Sequence, residues 1–256
     1  MKLLLRLSYL GTNFCGYQVQ GDKPTVQKAL NDATRSLFSC DCDITGCSRT
    51  DSGVHANDFC VTVNKKGSNS LETSIDTERI PNALNVRLPE DISVKSAAFV
   101  NEDFHPRYDV EFKEYVYLVY NGRTRDPFLS GRAMHFPREL SENDVVRMNE
   151  GAAFLVGTHD FSAFMASGSK VESTVRTMKY ARVEKNGNII KITLAADGFL
   201  YNMVRIITGT LLDVGVGKTE PRGVGDILAS HDRTLAGMTA PACGLYLNSV
   251  VYPEGK

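Results

Sequence analysis

The sequence predicts an α+β protein built from two subdomains, and two observations lead to that prediction. Stretches rich in β-branched and aromatic residues alternate with helical stretches along the whole chain. The alternation starts again after residue 108, so we assign one subdomain to residues 1–108 and a second to residues 109–256, with a cleft between them. With 256 residues and 42% hydrophobic content, the chain is long enough to bury a substantial core.

The first half is predicted to contain four strands and one helix. Thr25 suits the N-cap of the helix, because apolar residues recur after it at helical spacing. A polar, glycine-containing loop at residues 48–57 separates the second strand from the third, and residues 65–77 form a polar insertion. The predicted strands are Lys2–Tyr9, Asp43–Cys47, Phe59–Val63 and Ile92–Val100.

The second half is predicted to begin with the strand Glu114–Tyr120, which an Asn-Gly pair ends. A basic connection, residues 123–138, leads to a helix with Ser141 as its N-cap and Asp144 in capping-box position. A Lys-Asn-Gly-Asn turn at residues 185–188 predicts a hairpin. The remaining predicted elements are strands Met178–Glu184, Ile189–Ala195 and Leu245–Val251 and helices Leu200–Val214 and Gly223–Ser230.

Charge and hydropathy limit the classes of protein that fit. Lys and Arg number 29 against 30 Asp and Glu, so any nucleic-acid site must be a local basic patch. The opening MKLLLRLSYLG lacks the apolar run of a signal peptide, and nowhere do about 18 uncharged apolar residues follow one another. We therefore expect a cytoplasmic protein without a membrane span.

The sequence contains no complete motif for binding a zinc ion, a nucleotide or a dinucleotide. Cys40, Cys42 and Cys47 lie close together but lack the second cysteine pair of a zinc site, so reduced thiols are expected. Residues 215–219 end like a phosphate-binding loop, but Leu212 occupies the position that requires the first glycine. Dinucleotide, zinc-protease and hydrolase motifs have no counterpart in the sequence. No cofactor and no metal are predicted.

The stretch of residues 46–56 has the highest density of chemically active side chains. It holds Arg49, Thr50, Asp51 and His55 within seven residues. A nearby cation favours the charged form of a carboxylate, which suits a nucleophile or a base. The same residues also suit a solvated turn in which the aspartate caps backbone amides. This stretch alone leaves both interpretations open.

The strand that begins at Glu114 presents aromatic side chains. Tyr115 and Tyr117 lie on one face by the two-residue period of strands. With Arg107 and Lys113 close in sequence, that face suits stacking on an unpaired base. An aromatic stripe on a strand equally suits a hydrophobic core, so the pattern alone does not decide.

Arg205 is the single cation in a mostly apolar segment, residues 197–209. Burying an unpaired charge is costly. The guanidinium must therefore either reach solvent on its long stem or meet a carboxylate such as Asp51.

Residues 46–56 resemble the Arg-Thr-Asp motif of the TruA family of tRNA pseudouridine synthases. The likeness covers almost the whole chain, in the family's order. The other stretches that match the family are Gly16–Gln18, Thr25–Gln27, Asn82–Asn85, Phe104–Arg107, the Tyr-x-Tyr strand at Tyr115, Gly157–Phe161, Asn202–Arg205 and Gly244–Tyr246.

Departures from the family's pattern are small. Tyr17 stands where the family often has Trp, Ser48 where Gly is common and Ser52 where Ala is usual.

The resemblance implies a fold of two ferredoxin-like α+β subdomains with a joint antiparallel sheet and a central basic cleft. It maps the family's catalytic aspartate onto Asp51, its active-site tyrosine onto Tyr115 and its active-site arginine onto Arg205, converging on one cleft. It also implies a homodimer that isomerises uridines at positions 38, 39 and 40, in the anticodon arm of tRNA, without a small-molecule cofactor.

The implied reaction breaks the bond from ribose C1′ to uracil N1 and rejoins the base through C5, so it needs no cofactor. The uridine must first be flipped out of the RNA. We predict that ionised Asp51 attacks it, that Arg205 pairs with the carboxylate, and that Tyr115 stacks on the uracil. The candidate RNA-binding residues are Arg49, His55, Arg107 and Lys113, of which Arg49 and His55 could instead position the loop.

Two alternatives remain from other classes of protein. One is a noncatalytic RNA-binding module or tRNA-folding chaperone with the same surface. The other is a glycosidase or nucleoside hydrolase that uses Asp51 with a second carboxylate such as Asp197 or Asp160. Release of free uracil would favour the hydrolase, whereas conversion without a change of mass would exclude it.

Overall fold

The computed structural model describes residues 1–168 and 171–254 of the chain. These residues form two compact units. One holds Met1–Glu111 with the C-terminal segment that begins at Leu247, and the other holds Phe112–Tyr246. The boundary between the two units at residue 111 thus lies three residues beyond the boundary at residue 108 that was expected from the sequence. The final strand, which the sequence division assigned to the second half, belongs mainly to the first unit, where it pairs with a strand.

The α+β class expected from the sequence is confirmed. In chain order, the strands and α-helices are β1 (Lys2–Tyr9), α1 (Val26–Phe38), β2 (Cys42–Gly46), β3 (His55–Lys65), α2 (Ile80–Asn85), β4 (Ile92–Val100), β5 (Phe112–Tyr120), β6 (Met134–His135), α3 (Glu142–Ala153), β7 (Gly157–Asp160), β8 (Val175–Asn186), β9 (Ile189–Ala196), α4 (Met203–Gly215), α5 (Pro221–Ser230) and β10 (Leu245–Val251).

In the first unit the strand order is β4-β1-β3-β10, and β2 also pairs with β3. β1 lies antiparallel between β3 and β4, and its alternate residues Leu3, Leu5 and Leu7 are fully buried. α1 begins where Thr25 accepts a hydrogen bond from the Lys28 amide, as the sequence predicts. The helices pack against this sheet, α1 on β2 and α2 on β4.

β3 is longer than the sequence predicts, and this changes the length of the loop before it. The strand starts at His55, so the loop ends at Val54 and the prediction that it reaches Asn57 is wrong. The polar start of the strand is held from both sides. Asn57 donates a hydrogen bond to Asn248 of β10, and Asp58 accepts one from Arg6 of β1.

In the second unit the strand order is β5-β9-β8-β7, with antiparallel neighbours, and β6 runs parallel to β5. The predicted hairpin is present, with Asn186 opposite Ile189. α3 begins with the predicted capping box between Ser141 and Asp144. α4 is buried over most of its surface because it is apolar nearly all round.

The short elements α2 and β7 were not predicted from the sequence, and α2 contains Pro81 near its start. Within residues 1–168 and 171–254, no helix has the length and apolar character needed to cross a membrane. The same part of the chain contains no group of three or more His, Cys, Asp or Glu side chains able to hold a metal ion.

Candidate active site

The loop that carries Asp51 joins β2 to β3, and backbone hydrogen bonds from the segment after β1 hold it on both sides. The Tyr17 amide donates to the Thr50 carbonyl at 3.1 Å, and the Gly53 amide donates to the Phe14 carbonyl at 3.3 Å. The Val54 amide closes a turn onto the Asp51 carbonyl at 3.2 Å. The aspartate backbone is therefore anchored by residues that lie more than thirty positions earlier in the chain.

Gly16 lies directly against the loop at Thr50 and Asp51. Its φ of +87° lies in the left-handed region, which a residue with a side chain rarely adopts. A Cβ at this position would lie 2.8 Å from the Thr50 carbonyl oxygen and 3.3 Å from the Asp51 carbonyl carbon. Glycine is therefore required here both by the left-handed backbone conformation and by the loop that passes directly against it.

Thr50 ties the loop to the first strand through its side chain. Its hydroxyl is hydrogen-bonded to the phenol of Tyr9, the last residue of β1, at 2.7 Å, and both side chains are buried. A hydrogen bond between buried groups is costly to break, because each group would then be left without water or partner. The position before Asp51 thus has little freedom to move.

His55, for which the sequence left RNA contact and positioning of the loop both open, directly follows the far end of the loop. The side chain is fully buried, and its Nδ1 accepts a hydrogen bond from the Gly11 amide at 2.9 Å. A ring nitrogen that accepts a hydrogen bond carries no proton, so the imidazole is neutral with its hydrogen on Nε2. A Cβ on Gly11 would lie 1.9 Å from the Val54 carbonyl oxygen. His55 therefore positions the loop and presents no surface to a ligand.

Exposure differs among the charged side chains of the first unit that were singled out from the sequence. Asp51 is half-buried, and Arg49 of the same loop is exposed. Arg107 is also exposed and lies 5.9 Å from the ring centre of Tyr108. Tyr108 is 75% exposed and stacks on His105 at 4.3 Å between ring centres. This aromatic pair beside an arginine, in which Tyr108 is exposed and His105 half-buried, was not predicted, and it suits contact with an unpaired base.

In the second unit, the two tyrosines of β5 have different surroundings. Tyr117 is fully buried, and its hydroxyl donates to the Pro241 carbonyl at 2.6 Å, so it is part of the core. Tyr115 is 7% exposed and meets Phe199 edge to face, with 4.9 Å between ring centres. Phe199 was not singled out from the sequence. Lys113, two residues before Tyr115, is half-buried and lies opposite Ala196 of β9.

Arg205, on the first turn of α4, is half-buried and has oxygen acceptors within the second unit. Its Nε donates to the Ala240 carbonyl at 2.6 Å, and its Nη1 donates to Asn202 Oδ1 at 2.8 Å. The Ala240 amide in turn donates to the Arg205 carbonyl at 3.1 Å. The guanidinium is thus held in a defined orientation by one side chain and one backbone group.

Asn202 is a site residue that sequence reasoning missed. It is the N-cap of α4, but its φ is +60° and its side chain makes no capping hydrogen bond. The side chain instead accepts the hydrogen bond from Arg205, one helical turn later. The available signal was the three-residue spacing of an amide and a guanidinium at a helix start. An amide acceptor orients a guanidinium without neutralising its charge.

The two candidates for the second carboxylate that a hydrolase would need beside Asp51 are both engaged in local structure. Asp197 accepts a hydrogen bond from the Thr177 amide at 3.0 Å. Burial opposes ionisation of Asp160, but hydrogen bonds from Thr174 and Ser162 outweigh it and hold the pKa of Asp160 below its usual value. A general acid in glycoside hydrolysis needs a raised pKa, so Asp160 does not suit that role.

The comparisons with known proteins identify the family of the chain. A family model described as tRNA pseudouridine synthase matches residues 7–109 and 152–253. The chain belongs to the tRNA pseudouridine synthase family. It is similar to tRNA pseudouridine synthase A of Caldicellulosiruptor saccharolyticus, with 44% identity over 98% of this chain and 99% of that protein. It is also similar to tRNA pseudouridine synthase A of Thermoanaerobacter sp., with 42% identity over the same shares.

Among solved structures, the chain matches one titled Crystal Structure of a Cbf5-Nop10-Gar1 Complex with a TM-score of 0.34 and 12% identity. That match covers 95% of this chain and 57% of the other, and its score is too low to carry an argument. Family membership, by contrast, confirms the resemblance drawn from the sequence motifs. It also makes the protein an enzyme of the isomerase class.

Proposed function

We propose that this enzyme converts uridine to pseudouridine in the anticodon arm of tRNA, at positions 38, 39 and 40, and that Asp51 is the carboxylate that starts the reaction. Family membership supports the reaction class. The observation that supports Asp51 is the rigid frame of its loop, in which Gly16, Thr50 and His55 each limit movement. Catalysis needs reacting groups held within a fraction of an ångström.

The chemistry is an exchange of one carbon–nitrogen bond for one carbon–carbon bond. An aspartate carboxylate is ordinarily ionised at neutral pH and can attack the flipped-out nucleotide. The bond from C1′ to N1 breaks, the uracil turns, C5 bonds to C1′, and the bond that the carboxylate formed with the nucleotide breaks again, which regenerates free Asp51. The proton on C5 is lost and N1 gains a proton, so product and substrate have the same atoms. No electrons are transferred to another molecule.

Arg205 and Tyr115 take part in the same reaction, as the family resemblance implies. Arg205 supplies the positive charge that favours the ionised form of the carboxylate, and Asn202 and Ala240 keep its guanidinium oriented. Tyr115 stacks on the uracil, and we assign its side-chain oxygen, in the phenolate form that this step requires, to receive the C5 proton. Its contact with Phe199 supports that assignment by fixing the ring plane.

The remaining charged residues assist RNA binding. Arg49 and Arg107 are exposed and suit contacts with phosphates, and Lys113 is assigned the same role. Tyr108, stacked on His105 beside Arg107, suits a base that has left its helix. We further propose that the enzyme acts as a cytoplasmic homodimer, as the resemblance implies.

The proposed function is tested by incubating the protein with unmodified tRNA transcripts and mapping pseudouridine by carbodiimide-dependent stops in primer extension. The expected result is stops at positions 38, 39 or 40, with no change in the mass of the RNA. Stops outside the anticodon arm would contradict the proposed site. Release of free uracil would contradict the reaction and favour the hydrolase instead.

A further inference from the structure

The basic connection that the sequence shows at residues 123–138 has no part in the reaction above, yet it lines a cavity that is open to solvent. The cavity has a volume of about 630 Å³ and lies within the second unit, between the connection and the end of β5. Its lining includes Tyr120, Arg125, Ser130 and His135. This volume falls in the range of sites for small organic groups, about 300–1,000 Å³.

Two aromatic rings in the cavity wall are held in place. Tyr120 and His135 are register partners on β5 and β6, and their ring centres lie 5.7 Å apart with 31° between the planes. Nε2 of His135 lies 2.9 Å from the Gly122 carbonyl oxygen and donates to it. A Cβ on Gly122 would lie 2.4 Å from Cζ of Tyr120, so the tyrosine ring covers a position where only glycine fits. Rings fixed in this way are suited to stacking with a nucleobase.

The charge of the connection is opposite to that of a nucleic acid. Within residues 123–138 the sequence has four arginines, at 123, 125, 132 and 138, against the single acid Asp126, although the whole chain carries a net charge of -1. The Asp126 carboxylate accepts a hydrogen bond from the Phe128 amide at 2.8 Å and so caps the turn Pro127–Leu129. Arg125 is exposed and lines the cavity. A concentrated positive charge attracts phosphate groups.

Phe128 adds an apolar surface on the same turn. Its side chain is 78% exposed, although the backbone around it is fixed by Asp126 and by Arg132, whose guanidinium donates to the Phe128 carbonyl. The exposed ring is therefore presented by an ordered turn. Aromatic rings next to arginines are the combination that proteins use for unpaired nucleotides.

We propose that this cavity binds an unpaired nucleotide of the tRNA substrate other than the uridine that reacts. The base stacks on the rings of Tyr120 and His135, Arg125 contacts the adjoining phosphate, and Phe128 covers a neighbouring base. The inference rests on the proposed function for the identity of the RNA. A second copy of this chain fits less well, because a two-fold interface centred on this surface would bring two patches of the same positive charge together.

The test compares Arg125→Ala and Phe128→Ala with the matched control Arg222→Ala, which removes an exposed arginine from α5 of the same unit. tRNA affinity is measured by filter binding over a range of salt concentrations, after the folding of each variant is checked by circular dichroism. Both test variants are expected to lose tRNA affinity at least about fivefold. In Arg125→Ala the slope of the logarithm of the binding constant against the logarithm of the salt concentration is also expected to become less steep, by about 0.7 to 0.9. The control is expected to keep a tRNA affinity within about twofold of that of the unsubstituted enzyme. The single-turnover rate at saturating tRNA is expected to be unchanged in all three variants. Affinities equal to that of the control would overturn the inference.

A photo-crosslink identifies the occupant directly. p-Benzoylphenylalanine replaces Phe128, and the protein is irradiated with tRNA present. A crosslink to tRNA supports the inference, whereas a crosslink to a second protein chain, or to neither, overturns it. The unsubstituted enzyme is assayed first for pseudouridine formation. If it is inactive on every tRNA, the proposed function fails; if it is active while both variants bind normally, only the cavity assignment fails.

Discussion

Replacing Gly16 with alanine perturbs the Asp51 loop without changing any group assigned to the chemistry. The new methyl group meets the Thr50 carbonyl oxygen at 2.8 Å, whereas ordinary contacts begin at 3.4 Å, so the loop must shift by several tenths of an ångström. The Asp51 carbonyl carbon, at 3.3 Å, moves with it. Alanine must also adopt a φ of +87°.

The size of each effect follows from the geometry. A left-handed conformation costs an alanine about 1–2 kcal/mol, partly offset by the reduced freedom of the unfolded chain. The melting temperature should therefore fall by about 2–6 °C in a chain of this length. Since a misplacement of about 1 Å can cost about 100-fold in rate, we expect the kcat of Gly16→Ala to fall about 10- to 100-fold.

The assay is tritium release from tRNA that carries [5-³H]uridine, because the C5 hydrogen leaves in the proposed reaction. Gly67→Ala is the matched control. Gly67 has a similar φ of +78°, but a Cβ there would meet no atom within 4 Å. The control should lose similar stability and keep its activity. Wild-type kcat in Gly16→Ala, or an equal loss in Gly67→Ala, would refute the role assigned to this contact.

Three further predictions follow from individual contacts. Within the described residues the buried hydroxyl of Tyr17 has no hydrogen-bond partner. Tyr17→Phe should therefore leave the free energy of unfolding in urea unchanged or raise it by about 1 kcal/mol. A fall in the free energy of unfolding by more than about 1 kcal/mol would contradict the geometry. Asn202→Gly removes the side-chain acceptor for Nη1 of Arg205 and should lower kcat/KM about 10-fold. Asn202→Asp retains an acceptor and should lose less activity. Equal losses in the two variants would count against the positioning role. Hydrogen bonds from the Ser141 amide and hydroxyl hold the pKa of Asp144 below 3.8, so its contribution to stability is present above that pH and is lost as the pH falls through the lowered pKa. Asp144→Asn should therefore cost about 0.5–1 kcal/mol in urea unfolding at pH 7 and progressively less below pH 4, and a constant difference would exclude this explanation.

The parts of the fold that the sequence predicted well have strong local patterns. β1, β4 and β10 have the predicted bounds, because alternating or continuous apolar residues leave few other arrangements. The capping box of α3 was likewise visible within four residues. By contrast, α2 and β7 are short and depend on packing against β4 and β8, which no local pattern reveals.

The candidate site shows the same limit. Asp51 stood out because its loop concentrates reactive side chains, and Arg205 because a lone cation in an apolar segment needs partners. Gly16 matters through its backbone conformation and its approach to a loop more than thirty residues away. Burial of His55 follows from a contact with Gly11. Contacts of this kind are created by the tertiary fold, so spacing in the sequence does not disclose them.

The central claim is that the carboxylate of Asp51 carries the reaction, and Asp51→Asn tests it most directly. The amide keeps the size of the side chain but removes the charge and most of the nucleophilicity. We expect tritium release to fall by at least about 10⁴-fold, with tRNA affinity within about twofold and an unchanged melting temperature. An Asp51→Asn enzyme that still forms pseudouridine at a rate near that of the parent would contradict the account.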